Sequence, residues 1–271
     1  MSERPVYVYG VAAASRSGGL PIGEPGLEGR RLELVCCGEL AALVSGIDEP
    51  ELGRRIARAR DGDLTLLVPL FREHEAVLSR AQASGAILPF RFGIVAQGEN
   101  GVRRLLEERG KDLSAQLERL DDAREWDVKG LVSRELLEAD VTAGAPHLAE
   151  LALEARDGSG AGFFVRKQLE RELAASLREA VADIAATAHD RLAAVARSAV
   201  VNPPQAPELS GCTDETILDA AYLVERDREA ALRASIQELS GELGWRGLRL
   251  ELTGPRPPFT FVDRPVSAAT R

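Results

Sequence analysis

The chain is poor in the residues from which covalent and metal chemistry are built. Its 271 residues hold three cysteines and three histidines. Cys36 and Cys37 are adjacent and Cys212 stands alone, so there is neither a metal-ligand spacing nor an even-numbered disulfide framework, and a reducing cytosol is expected. Neighbours on a strand face opposite ways, which makes Cys36 and Cys37 poor partners for a shared metal or a redox pair. They are expected to be small buried apolar residues. His74, His147 and His189 are far apart in sequence, and none has a second ligand at metal spacing. Positive charge is also scarce: 34 Lys and Arg against 43 Asp and Glu give a formal net charge of -9. That balance argues against nucleic-acid and anionic-membrane partners, which are held mainly by excess Lys and Arg. Partner contacts are therefore expected to be apolar. No apolar run approaches the length of a membrane span. Residues 1–30 lack the charged start and continuous apolar core of a secretion signal. Gly18-Gly19-Leu-Pro-Ile-Gly23 has neither the P-loop lysine nor the Rossmann spacing, so it reads as a loop.

Hydrophobic residues make up 45% and charged residues 28%, the balance of a soluble globular protein long enough for two domains. Residues 6–12 read as a strand, residues 15–31 as a glycine- and proline-broken mobile loop, and residues 32–37 and 40–45 as two strands joined by a tight turn at Gly38-Glu39. A short helix is expected over 50–60. A second starts near Pro69, harmless in a first turn, and carries Leu70, His74, Val77, Leu78 and Ala81 on one face before Gly85 ends it. Residues 87–96 read as a strand containing Pro89-Phe-Arg-Phe-Gly93, with Pro89 at an edge or bulge because it cannot donate to a ladder. Phe90 and Phe92 then share one face, and Arg91 points the other way toward a carboxylate or helix end. From Val102, Leu105, Leu106, Leu113, Leu117 and Leu120 form a helical stripe.

In the second half, strands over 124–132, 199–203, 217–225 and from Leu248 alternate with helices in the order βαββαβ. The predicted class is α+β with two domains. The C-terminal one is a modified ferredoxin-like βαββαβ whose first crossover is enlarged by a helix on the order of 40 Å long at about 1.5 Å per residue. The domains are placed at 1–123 and 124–254, with a proline and aromatic tail at 255–271. Residues 142–162 form a partly helical insertion. Asp227 is the expected cap of the last helix and Gly244 follows its end. Trp126 and Trp245 are expected to anchor cores.

The last strand alternates Leu248, Leu250 and Leu252 against Arg249, Glu251 and Thr253, and Gly254-Pro255 stops it. Pro257 and Pro258 favour an extended polyproline path that presents Phe259 and Phe261 as a rigid pair, or lets them fold back on the chain. Gly254-Pro-Arg-Pro-Pro-Phe-Thr-Phe261 resembles the closing signature of the gas vesicle protein GvpL/GvpF family, G-P-W-P-P-Y-x-F. Arg256 replaces its Trp and Phe259 its Tyr. Val6-Tyr-Val-Tyr-Gly10, Leu88-Pro-Phe-Arg-Phe-Gly-Ile-Val95, Glu125-Trp-Asp-Val-Lys129 and Ala220-Ala-Tyr-Leu-Val224 resemble the same family in the same order along nearly the whole chain.

The resemblance implies an accessory or minor structural protein of the gas vesicle, cytoplasmic, without enzymatic activity or cofactor. Its implied partners are the hydrophobic shell subunit GvpA and other accessory proteins. A subunit that exposes an apolar face to gas must be covered until it assembles. Phe90, Arg91, Phe92, Arg256, Pro257, Pro258, Phe259 and Phe261 are the expected partner-binding residues, by strand-edge addition or apolar capture. Two other readings compete. A small-ligand or enzymatic α+β protein would use Glu73-His74-Glu75 as an acid-oriented base, although His74 falls on the apolar stripe of its helix, where a satisfied interior histidine is expected. An RNA-recognition sheet is suggested by Phe90-Arg91-Phe92-Gly93, but this motif lies outside the βαββαβ half and its surroundings are acidic.

Overall fold

The computed structural model describes residues 4–60, 65, 67–85, 87–155, 160–203 and 214–263. The chain divides into two compact units, one of residues 1–125 together with 255–271, the other of residues 126–254.

The first unit is built on β1 (Val6–Ala13), β2 (Leu32–Cys37), β3 (Leu40–Gly46), β4 (Leu88–Pro89) and β5 (Val95–Ala96), in the order β2-β3-β1-β4 with β5 also on β1. The turn between β2 and β3 uses Gly38 at φ 57°, a backbone conformation natural to glycine. β1 and β3 are antiparallel, but the register slips between Val8 and Gly10, leaving Tyr9 without an opposite residue. Instead, the Tyr9 carbonyl accepts the Phe90 N–H at 2.8 Å. α1 (Glu49–Arg60), α2 (Val68–Ser84) and α3 (Gly98–Leu120) complete the unit. α2 buries Leu70, His74, Val77, Leu78 and Ala81, the stripe its spacing predicts, and Gly85 is its C-cap.

Residues 87–96 do not form one strand. Two-residue strands at either end pair with β1, Phe90 and Ile94 each keep one backbone hydrogen bond to it, and Arg91 to Gly93 leave the ladder, with Gly93 at φ 94°. Pro89, lacking an N–H, lies where the pairing ends. Residues 15–31 are better tied than an open loop: they hold two 3₁₀ turns, Ala14–Gly19 and Leu27–Gly29. Leu20 and Leu27 are buried in the core, and the Leu27 N–H donates to the Tyr9 hydroxyl at 2.7 Å. Cys36 is exposed rather than buried, near the end of β2, whereas Leu32 and Val35 of the same strand are buried. Cys37, on the other face, reaches Glu107 of α3 through its Sγ at 3.6 Å. Cys212 lies outside the described residues.

The second unit contains β6 (Ala123–Val132) beyond its first residues, then α4 (Arg134–Gly144), α5 (Pro146–Glu154), α6 (Gly160–Val195), β7 (Ser198–Val201), β8 (Glu215–Glu225), α7 (Glu229–Leu243) and β9 (Leu248–Arg256). Its sheet order is β7-β8-β6-β9. The 36 residues of α6 extend about 50 Å at about 1.5 Å per residue, longer than the spacing of its apolar stripe suggests. Trp126, Val128, Leu218, Ala220, Tyr222 and Val224 of the sheet pack against Ala188 and Leu192 of α6 and Leu232 and Leu239 of α7.

Two sequence expectations fail in this unit. A 3₁₀ turn, Arg226–Arg228, precedes α7, whose N-cap is Arg228, and Asp227 makes no cap. Trp245 is 65% exposed, because it sits on the short turn Gly244–Arg246 beyond α7 rather than on a packed face. Trp126 is the buried tryptophan, with the Arg233 guanidinium 4.8 Å from its ring centroid.

Candidate partner-binding site

The aromatic core of the first unit is organised by His74. Its Nε2 lies 3.1 Å from the Phe90 carbonyl and its Nδ1 lies 2.9 Å from the Tyr7 hydroxyl. A carbonyl only accepts, so Nε2 carries the proton and donates to it, and Nδ1 accepts from Tyr7. The Tyr7 oxygen in turn accepts the Gly93 N–H at 3.0 Å. Every polar atom of the imidazole is thus satisfied in the neutral form. Burial holds its pKa down at about 4 and pushes the Tyr7 phenol well above its ordinary value. The two bonds to Phe90 and Gly93 also fix both ends of the Phe90-Arg91-Phe92-Gly93 turn to the core.

Glu73 and Glu75 do not assemble with His74 into an acid and base pair. Glu73 accepts the Glu28 N–H at 2.9 Å, and Glu75 is exposed. With both nitrogens engaged inside the core, His74 is a structural histidine.

The C-terminal segment joins this core. Pro257 and Pro258 are buried, and they do not continue the extended path expected of them. Pro258 has φ -79° and ψ 58°, and the Phe259 N–H bonds the Pro257 carbonyl at 2.8 Å, the geometry of an inverse γ-turn. The chain therefore curls, and Phe259 to Phe261 form a 3₁₀ turn. Phe259 packs against the buried cluster, 6.2 Å ring to ring from His74, and Phe261 is only 4% exposed. Phe259 and Phe261 are parts of the first unit's interior, not a free aromatic pair.

What holds the curl is Glu125. Wholly buried, it accepts Arg256 Nε at 3.0 Å and Nη2 at 2.8 Å, the Thr260 N–H at 2.9 Å and the Thr260 hydroxyl at 2.8 Å. Each of these donors comes from residues 256–260. Arg119 adds bonds to the Phe261 carbonyl at 2.5 Å and to Asp263 at 2.8 Å. Arg256, which replaces the signature tryptophan, is thereby a counter-ion to a buried carboxylate. Sequence reasoning passed over Glu125 as a residue of the site. Strand alternation puts Glu125 on the face of Asp127 and Lys129, opposite the core residues Trp126 and Val128, so the sequence pattern gives no sign of its burial.

Of the eight expected residues, then, Phe90, Pro257, Pro258 and Phe261 are buried, Phe92, Arg256 and Phe259 are partly exposed, and Arg91 is exposed. Arg91 does not reach a carboxylate or a helix end. No hydrogen-bonding or ionic partner occupies it among the described residues. Sequence reasoning also missed Phe71. It stands off the buried stripe of α2, is 42% exposed, and lies 4.3 Å ring to ring from Phe92.

The fold is similar to the crystal structure of the gas vesicle protein GvpF from Anabaena sp. PCC7120, with a TM-score of 0.69 at 19% identity over 96% of this chain and 98% of that one. It is also similar to GvpF from Microcystis aeruginosa, with a TM-score of 0.62 at 19% identity over 95% and 98% of the two chains.

The chain belongs to the family described as gas vesicle synthesis protein GvpL/GvpF, which matches residues 5–263. Gas vesicle protein L of Streptomyces sp. (strain CB03234) is 32% identical over 96% of this chain and 94% of its own length. Gas vesicle protein F of the same strain is 32% identical over 95% and 99%. No helix among the described residues is long and apolar enough to cross a membrane.

Proposed function

We propose that this chain is an accessory or minor structural protein that acts in the cytoplasm at the gas vesicle, binds the hydrophobic shell subunit GvpA and supports its assembly. The observation that carries this reading is the family match over residues 5–263. The structure is compatible with it, because the aromatic core reaches the surface at Phe71 and Phe92. A gas-lined wall requires subunits with an apolar face, which in water must be covered by another apolar surface until they assemble. In this reading Arg91 and Phe92 make the contact, and the buried Phe90 anchors their turn. Arg256, Pro257, Pro258, Phe259 and Phe261 act from beneath by fixing the floor on which it rests.

We also read the two units as separable domains, with the C-terminal segment as part of the first domain's fold. The second is read as ferredoxin-like with an enlarged crossover. The order β7-β8-β6-β9, with the first and third strands of the unit adjacent at the centre, supports that arrangement. The test of function is capture of GvpA by the purified, tagged full-length chain. Retention of GvpA through washing supports the role, and no retention above an unrelated acidic protein contradicts it.

A further inference from the structure

The aromatic core of the first unit surfaces at one edge of α2. Phe71 and Val68, a turn apart on that helix, are each 42% exposed, and Phe92 lies against Phe71. Beneath this pair, Phe92 packs 5.9 Å from the Tyr7 ring and 5.9 Å from the His74 ring, both buried. The patch therefore stands on a hydrogen-bonded floor and binds without first having to be ordered.

The charges beside it have the opposite sign to the chain as a whole. Arg72 follows Phe71 and Arg91 precedes Phe92. Both are exposed, and neither has a hydrogen-bonding or ionic partner among the described residues. Arg16, Arg55, Arg80 and Arg103 of the same unit are in ion pairs, with Asp121, Glu28, Glu24 and Glu99, whereas among the described residues Arg30, Arg31 and Arg104 are exposed without one. The other carboxylates on this part of α2 are Glu73, engaged by the Glu28 N–H, and Glu75, a turn further along. Two bare guanidinium groups flanking apolar rings, on a molecule of net charge -9, complement a partner that is both apolar and acidic.

We infer that Val68, Phe71 and Phe92, flanked by Arg72 and Arg91, form the docking surface for an amphipathic segment of the shell subunit whose apolar side chains are bordered by carboxylates. The inference rests on the function proposed above and specifies the surface and the chemistry of its partner. The rings supply the buried contact, and the guanidiniums supply orientation through carboxylate hydrogen bonds.

The experiment measures GvpA binding to the full-length chain and to the variants Phe71→Ala/Phe92→Ala and Arg72→Glu/Arg91→Glu, with the fold of each checked by circular dichroism. Phe71→Ala alone serves if the double variant fails to fold, since Phe71 is largely surface. Loss of about tenfold or more in affinity in the ring variant is expected. The reversed-charge variant is expected to bind about tenfold more weakly, and its binding is expected to strengthen with added salt, where that of the unmodified chain is expected to weaken. Binding by the unmodified chain that survives both changes overturns this surface while leaving the proposed function intact. Failure of the unmodified chain to bind GvpA overturns the function and this assignment with it. Retention on heparin in place of GvpA binding would show that the arginines serve a phosphate-rich partner, which also contradicts the inference.

Discussion

Glu125 and Arg256, 131 residues apart in sequence, meet at 2.8 Å with the carboxylate wholly buried and the guanidinium at the surface. Because only one partner is sealed from water, the pair responds unequally to its two deletions. Arg256→Ala leaves a buried charge held by Thr260 alone and is expected to cost about 3 kcal/mol. Glu125→Ala/Arg256→Ala removes the charge as well and is expected to be the less destabilised of the two. Urea unfolding of both variants checks this order. Arg256→Trp, which restores the family's usual residue, is also expected to destabilise this chain, because tryptophan cannot balance Glu125.

His74 is neutral in the folded state, with a pKa of about 4 against about 6.5 when exposed. The unfolded chain therefore binds a proton that the native chain refuses. Its contribution to stability is full above about pH 6.5, declines below that and continues to fall through pH 4, by up to about 3 kcal/mol in all. His74→Gln is expected to flatten that part of the stability profile, as measured by denaturant titration at a series of pH values.

Phe261→Ala is expected to cost about 3–5 kcal/mol, as for other large core truncations, because Phe261 is 4% exposed. Phe259→Ala, at a partly exposed position, is expected to cost less. The two midpoints in urea distinguish a folded-back segment from a projecting one, for which both changes would be near neutral.

The tryptophans give a second contrast. Trp126→Ala is expected to cost about 3–5 kcal/mol, while Trp245→Ala stays within about 0.5 kcal/mol, since Trp245 is 65% exposed. Thermal melts of the two variants test it.

Gly10 faces the Leu88 carbonyl so closely that an added Cβ would lie 2.5 Å from that oxygen. Gly10→Ala must push β1 and β4 apart and is expected to destabilise by about 1–3 kcal/mol. Amide exchange at the β1–β4 pairing reports the separation.

Local periodicity made much of this architecture readable. The stripe Leu70, His74, Val77, Leu78 and Ala81 repeats at helical spacing, and it is the face that α2 buries. In the second unit β9 alternates legibly, and the helices fall between the strands as expected. What sequence spacing could not reveal was set by distant partners. Pro258 adopts a γ-turn rather than a polyproline path because Glu125 collects Arg256 and Thr260 from across the fold. Residues 87–96 read as one strand from their apolar and aromatic residues despite Pro89 and Gly93, yet Gly93 and the tie to His74 bend their middle out of the ladder. Cys36 faces solvent although Leu32 and Val35 of the same strand are buried, a matter of which part of the strand is covered rather than of composition. Phe71 stayed hidden because it lies just off a helical stripe, and only the position of Phe92 marks it as part of a surface.

The central proposal is that this chain binds the shell subunit GvpA and covers its apolar face before assembly. It is tested most directly by producing GvpA with and without the full-length chain and measuring the fraction of GvpA left in the supernatant after high-speed centrifugation. The account predicts that GvpA stays soluble and co-elutes with the chain in size-exclusion chromatography. Equal sedimentation of GvpA in both cases, with the chain eluting alone, would contradict it.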